Sequence, residues 1–377
     1  MSATVFAPRR DAPPATRTRA AIAAWLVDGP ARVRGGPHEG AIAGVVCTSG
    51  TVAYVYPEIA GYDLQWLAWR ARAGDPAAPL AERAAAVQRW LRVWLADATP
   101  PRTRLHFDGV ADWRNEAVFC FDLAMVLRGL ASSAQAGLLA IDDAVATGVA
   151  HQLGRLIGAD GAFEACLAND PAAKLPERWS TRRGPFLAKA AAGILTAAAA
   201  LPTLPREVLR AAEATFAASL AALDRAPHPE LHPLLYACEG ALALPARRDF
   251  AHTLATVAAQ LDALVALAAR DGALPESRRA DGKGCGPVRC DVAAQALRVG
   301  SLLDAHLPER TADRATLARL RSQLEAEVRP SGALPFAFGG EPRQWNTWAA
   351  MFAEQALAFA DAPQLLRDHR TGDPLIV

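Results

Sequence analysis

Two carboxylates five residues apart, Glu58 and Asp63, carry the clearest capacity for acid–base chemistry in this chain. Carboxyl groups that share a cavity drive their pKa values apart, leaving one acid and one base near neutral pH, as glycoside cleavage and substrate deprotonation both require. Asp63 lies one turn before Trp66 and Leu67, so a helix running from Ile59 carries it inside, where a bare charge is costly without a partner. It is the first candidate for the base. His232 precedes Pro233 at a helix start and has the side chain best suited to carrying a proton, and Glu239 is a further candidate carboxylate. Arg182 and Arg183, between Trp179-Ser180-Thr181 and Gly184-Pro185, offer two fork-shaped donors for a carboxylate, phosphate or sulfate. Trp345 and Trp348 flank Asn346-Thr347, an aromatic plane beside an amide that suits stacking on a sugar ring or another flat ligand. Each has a plainer role too: acids in a first turn cap the helix, a lone histidine packs, and paired arginines make a solvated turn.

The elements that must position these residues recur six times. Polar-headed, alanine-rich segments begin near Glu58, Glu116, Arg182, His232, Cys290 and Trp345, at intervals of 58, 66, 50, 58 and 55 residues. Repeats of this length cannot each bury an apolar face alone, so they must stack or close on one another. Apolar spacing predicts paired helices: 62–73 with 80–96, 116–130 with 133–157, 184–200 with 206–223, 231–244 with 249–269, and 290–303 with 311–328. A sixth pair would join 346–359 to 16–27 and bring the chain ends together. Asp160-Gly161, Asp271-Gly272 and Ser331-Gly332 punctuate the second helices, where glycine permits the left-handed turn that ends a helix. Residues 41–56 break the pattern with alternating apolar residues around Ser49-Gly50 and predict a short β-hairpin. Trp66, Trp69, Trp90 and Trp94, spaced by three and four, read as core between neighbouring helices. Residues 1–18 read as a loose tail and 19–377 as one domain.

These features resemble the six-hairpin (α/α)6 toroids found among glycosidases, polysaccharide lyases and sugar epimerases. The resemblance rests on Tyr56-Pro57-Glu58-Ile59-Ala60-Gly61-Tyr62 entering a helix, the glycine turns, Val118-Phe119-Cys120-Phe121-Asp122 with Leu127-Arg128-Gly129-Leu130, His232 through Gly240, and Gln344-Trp345-Asn346-Thr347-Trp348. It covers roughly residues 40 to 360. It implies an all-α toroid whose six inner helices run parallel, with their N-terminal ends converging on one mouth that favours an anion. On that fold the candidate catalytic residues are Asp63, Glu58, His232 and Glu239. Tyr62, Asp122, Arg182, Arg183, Arg289, Asp291, Trp345 and Asn346 are the candidate substrate-binding residues.

Composition narrows the function. A formal net charge of +1 over 377 residues carries no global field for nucleic acid or an anionic membrane. The longest apolar runs, such as 188–201, are alanine-dominated and shorter than the roughly 20 residues of a membrane span. The N-terminal run 20–27 has no convincing cleavage site after it. Six cysteines, mostly far apart, suit a reducing cytoplasm, and neither they nor the histidines show metal-ligand spacing. Dinucleotide, P-loop, HExxH and GxSxG motifs are absent from the sequence, so the expected reaction needs no metal and no cofactor. The leading expectation is a cytoplasmic enzyme using carboxylate and histidine acid–base chemistry on a small anionic substrate, a sugar or uronic acid. Four tyrosines and a charged Asp63 after Gly61-Tyr62 are unlike sugar-processing toroids; they favour a second reading, an intramolecular cyclisation or elimination in specialised metabolism that expels an anionic leaving group. A third is a non-catalytic binding toroid. A homodimer or a small partner subunit is compatible with all three.

Overall fold

The predicted helices form, and their burial separates those that line the interior from those that cover it. The computed structural model describes residues 14–225, 228–247, 249–310, 313–339 and 343–366. Among them are twelve α-helices: α1 (Pro14–Asp28), α2 (Pro57–Arg72), α3 (Ala77–Asp97), α4 (Cys120–Gln135), α5 (Asp143–Arg155), α6 (Leu187–Ala197), α7 (Arg206–Leu223), α8 (Leu231–Leu242), α9 (Phe250–Asp271), α10 (Cys290–His306), α11 (Arg314–Glu327) and α12 (Thr347–Asp361). α2 is buried on every side from Pro57 to Arg70, whereas α3 buries only the stripe Leu80, Ala84, Val87, Trp90, Leu91 and Trp94. A helix apolar all round belongs to a core and a striped one to its surface. The four tryptophans read as core are all buried.

The chain divides into two compact units: residues 32–44 with 52–222, and residues 1–31 with 45–51 and 223–374. In the first unit α2 packs on α4 and α4 on α6, while α3 and α5 lie outside them. The α2–α4 approach is close because of glycine. A Cβ on Gly61 would lie 2.4 Å from the Met125 carbonyl oxygen, and one on Gly129 2.5 Å from the Gly61 oxygen. Ser133 Oγ donates to the Leu64 carbonyl at 2.9 Å and ties the same pair further along. In the second unit α10 lies between α8 and α12, α9 and α11 pack outside, and α1 packs on α12. Arg19 bridges from α1 to Glu354 and Asp361 at 3.4 and 3.8 Å, so the last inner helix pairs with the first helix of the chain, as its apolar pattern predicted.

Some boundaries differ from expectation. The first helix begins at Pro14, so residues 14–18 of the expected tail are helical, and residues 1–13 lie outside the described residues. Between α4 and α5 the chain turns at Gly137 (φ 71°). α5 starts only at Asp143, because Asp142 caps it by accepting from the Ala144 and Val145 amides. Glu116 closes a 3₁₀ turn, and a strand, Ala117–Phe119, precedes α4. α9 is long and apolar enough to cross a membrane, contrary to the sequence expectation; here it buries a stripe including Val257, Leu261, Leu264 and Ala268 in its own unit. Gly161, Gly272 and Gly332 all adopt the left-handed conformation, at φ 79°, 82° and 87°. Strands Ala43–Cys47 and Val52–Val55 fall where the β-hairpin was expected, with Gly50 in the turn. Val45 to Cys47 pair antiparallel with Gln344–Asn346, and Tyr54 and Val55 pair with His106 and Leu105.

Candidate functional site

Each unit gathers polar side chains at the starts of its inner helices. In the unit holding α8 to α12, the first turns of α8 and α10 bring His232 and Asp291 together. His232 Nδ1 lies 2.7 Å from Gln295 Oε1 and 3.4 Å from Asp291 Oδ2. Both neighbours are acceptors. Gln295 donates through Nε2 to Glu239 Oε2 at 3.4 Å, and Glu239 is in turn paired with Arg298, whose Nη1 donates to Gln355 Oε1 at 3.1 Å. On the other side Arg289 grips Asp291 with Nε and Nη2 at 3.0 and 2.6 Å, and Trp348 Nε1 donates to the same carboxylate at 3.1 Å. Arg289 also reaches Glu276 at 3.3 Å. The Tyr236 ring packs against the imidazole at a tilt of 55°, with ring centroids 4.2 Å apart.

The electrostatics follow from burial and pairing. His232 is 6% exposed. Burial drives its pKa down to about 4, the Arg289 charge adds to this, and Asp291 opposes it, so the imidazole is neutral at pH 7. Burial also pushes the Asp291 carboxyl up, but Arg289, His232 and Trp348 outweigh it and hold the group below the ordinary carboxylate range. The cluster therefore contains ionised, mutually paired Asp291 and Arg289, paired Glu239 and Arg298, and one neutral imidazole among them. A neutral imidazole has a lone pair for a proton, and a pKa of about 4 makes it a weaker base than an ordinary histidine.

The other unit builds an opposite device. At the starts of α2 and α4, the Tyr56 hydroxyl donates to Asp122 Oδ1 at 3.0 Å, and Glu58 lies close enough to raise the Tyr56 phenol as well. Asp122 is 6% exposed, and its Oδ2 is buried without a hydrogen-bond partner. Burial, and then the Glu58 charge, push the Asp122 carboxyl well above the ordinary carboxylate range and favour its neutral form. A carboxylic acid kept neutral is a proton donor. The Arg104 guanidinium lies over the Tyr54 and Tyr56 rings, 4.6 and 5.1 Å from their centroids. Tyr62 is fully buried with Lys189 Nζ 4.8 Å above its ring.

The structure thus brings His232, Glu239, Arg289 and Asp291 together in one unit, and Glu58 and Asp122 in the other. Asp63, expected as the base, is instead paired: Arg32 holds both its oxygens, at 2.5 and 2.6 Å, in a buried pair. Arg182 and Arg183 are both exposed. Arg182 pairs with Glu177 at 2.7 Å, and Arg183 ties Asp160 and Glu164 at 2.5 and 2.7 Å. Asn346 caps α12, accepting from the Ala349 amide at 2.8 Å, and Trp345 sits half-buried in the strand before it. Among the described residues no three His, Cys, Asp or Glu side chains are grouped to hold a metal, and Cys47, Cys120, Cys166, Cys238, Cys285 and Cys290 are unbridged. Sequence reading missed Gln295, Arg298 and Lys189. The first two lie four and seven residues past Asp291 in the otherwise apolar buried stretch 290–300 of α10, a spacing that sets all three on one face.

No family model matches the chain, and no curated protein sequence matches it. Solved structures do. D-mannose isomerase aligns at 15% identity over 97% of this chain and 100% of its own, with a TM-score of 0.70. Cellobiose 2-epimerase from Spirochaeta thermophila DSM 6192 aligns at 18% identity over 94% and 98%, with a TM-score of 0.64. A type II terpene cyclase from Scytonema aligns at 13% identity over 93% and 99%, with a TM-score of 0.57. At such identities the likeness is one of fold, and the fold of this chain is the all-α (α/α)6 toroid.

Proposed function

We propose that the chain is an enzyme moving a proton at the carbon beside the carbonyl of an open-chain sugar, as an epimerase or isomerase, with His232 as the proton carrier. The observation that supports this most is the neutral imidazole with its Nδ1 set against Gln295 and Asp291. His232 and Asp291 lie in the first turns of α8 and α10, where unpaired N–H groups and the positive end of the helix dipole stabilise the negative charge that deprotonation creates. Two structural neighbours, an isomerase of mannose and an epimerase of cellobiose, agree with this class. Charge balance favours a neutral sugar over a uronic acid, because Arg289 and Arg298 are each matched by a carboxylate and Arg182 and Arg183 are engaged on the surface. Incubation with aldoses, ketoses and uronic acids in D2O tests this. A productive sugar gains one deuterium and yields its epimer or isomer, and His232→Asn lowers the rate about 10²- to 10⁴-fold. Exchange that survives His232→Asn removes the histidine from the reaction.

A second reading, an intramolecular cyclisation or elimination in specialised metabolism, is favoured by one observation: Asp122 is a buried carboxyl whose Oδ2 lacks a hydrogen-bond partner, in surroundings that favour its neutral form. Such a group protonates an oxygen or an alkene that a carboxylate cannot. On this reading Asp122→Asn abolishes turnover and His232→Asn does not.

A further inference from the structure

We infer that Gln295, anchored by Glu239, is a positioning residue that holds the His232 proton on Nδ1. The inference rests on the reading of His232 as the proton carrier, and it concerns which ring nitrogen bears the hydrogen.

A glutamine amide can face a histidine with either its oxygen or its nitrogen, and the two choices demand opposite tautomers. Here the choice is made one residue further away. The Gln295 nitrogen lies 3.4 Å from Glu239 Oε2, and a carboxylate accepts but does not donate. The nitrogen therefore belongs on the Glu239 side, and the oxygen faces His232 at 2.7 Å. An oxygen opposite Nδ1 requires that Nδ1 carry the hydrogen. Glu239 is itself paired with and oriented by Arg298, and Arg298 is held by Gln355 at 3.1 Å and packed over the Phe352 ring at 4.0 Å. The order of action thus runs from Arg298 to Glu239 to Gln295 to His232, all within α8 and α10 of one unit.

The same geometry separates the roles of the two acceptors beside Nδ1. Asp291 Oδ2 is farther, at 3.4 Å, and is already engaged by Arg289 and Trp348. Gln295, an uncharged acceptor, takes the shorter bond and orients the ring without supplying the full negative charge that favours an imidazolium. The charged groups around the ring are Asp291 and Arg289 on one side, and Glu239 with Arg298 behind Gln295 on the other. They pair with each other, so the imidazole stays neutral.

The test needs no substrate. Protein labelled with 15N-histidine is observed by NMR at pH 7, and His232→Asn assigns the signals of this ring by their disappearance. The wild type should show a protonated, pyrrole-type Nδ1 and an unprotonated, pyridine-type Nε2, with an Nδ1–H proton protected from exchange. In Gln295→Leu that proton should move upfield or vanish through exchange, and Glu239→Gln should weaken it in the same direction, with folding of both variants checked by circular dichroism. A wild-type ring protonated on Nε2 overturns the inference whether or not either variant folds. So does an Nδ1–H signal that Gln295→Leu leaves in place, and one indifferent to Glu239→Gln removes the relay. If the tautomer is as inferred but no sugar exchanges its proton in D2O, the proposed reaction fails while this positioning role stands.

Discussion

At the scale of single residues, the two buried aspartates at the helix starts behave in opposite ways because of what they face. Asp291 faces a guanidinium fork and is pulled below the ordinary carboxylate range; Asp122 faces a phenol and another carboxylate and is pushed well above it. Asparagine mimics a protonated acid but not a carboxylate. Asp122→Asn should therefore leave stability at pH 7 within about 1 kcal/mol of wild type, whereas Asp291→Asn leaves the buried Arg289 with Glu276 as its remaining carboxylate and should cost about 3 kcal/mol. Urea unfolding of both variants checks this, and equal losses would contradict the opposite protonation states. Asp63 teaches a related lesson. Its burial inside a helix was readable from Trp66 and Leu67, but its partner Arg32 lies 31 residues upstream outside any helix, and nothing local joins the two. Arg32→Met leaves a fully buried carboxylate unpaired and should destabilise by about 3–5 kcal/mol. The double variant Arg32→Met with Asp63→Leu should recover most of that loss, and a double variant as unstable as the single one would show the pair to be worth more than its desolvation.

At the scale of elements, helix contact in the first unit is set by glycine rather than by large side chains. The α2–α4 pair meets where Gly61 and Gly129 let backbone approach backbone, so the cluster of Tyr56, Glu58 and Asp122 at the starts of those helices depends on residues one to two turns inside them. Gly61→Ala drives a methyl into the Met125 carbonyl and should cost about 3 kcal/mol, the upper end for overpacking. Thermal unfolding measures the loss, and a variant as stable as wild type would mean the helices part without cost. The twelve helices were legible because a 3.6-residue apolar period survives any tertiary context. The α4–α5 break was placed too early, between 130 and 133, because alanine and serine there continue the periodic pattern and only the Asp142 cap decides where α5 begins.

At the scale of the whole chain, acid unfolding integrates these groups. A histidine with a pKa of about 4 in the folded state and about 6.5 unfolded binds its proton more readily when unfolded. Its contribution is fully present above pH 6.5 and is lost as pH falls through 4, a change of about 3 kcal/mol from that shift. Asp122, raised in the fold, works against this and favours the folded state most at low pH. The wild type should therefore lose stability between pH 6.5 and 4 more steeply than His232→Asn, and identical slopes in denaturant titrations would place the histidine outside the buried cluster. What the sequence by itself determined was the helical repeat, the glycine turns and the residues at helix starts, since periodicity, turn conformation and capping are local properties. Which of those residues come together was decided only by tertiary structure. An ion pair such as Arg32 with Asp63, an amide set by Glu239, or a carboxyl kept neutral by Glu58 depends on side chains that the chain brings together across tens of residues, and distance through space is what sets their charge.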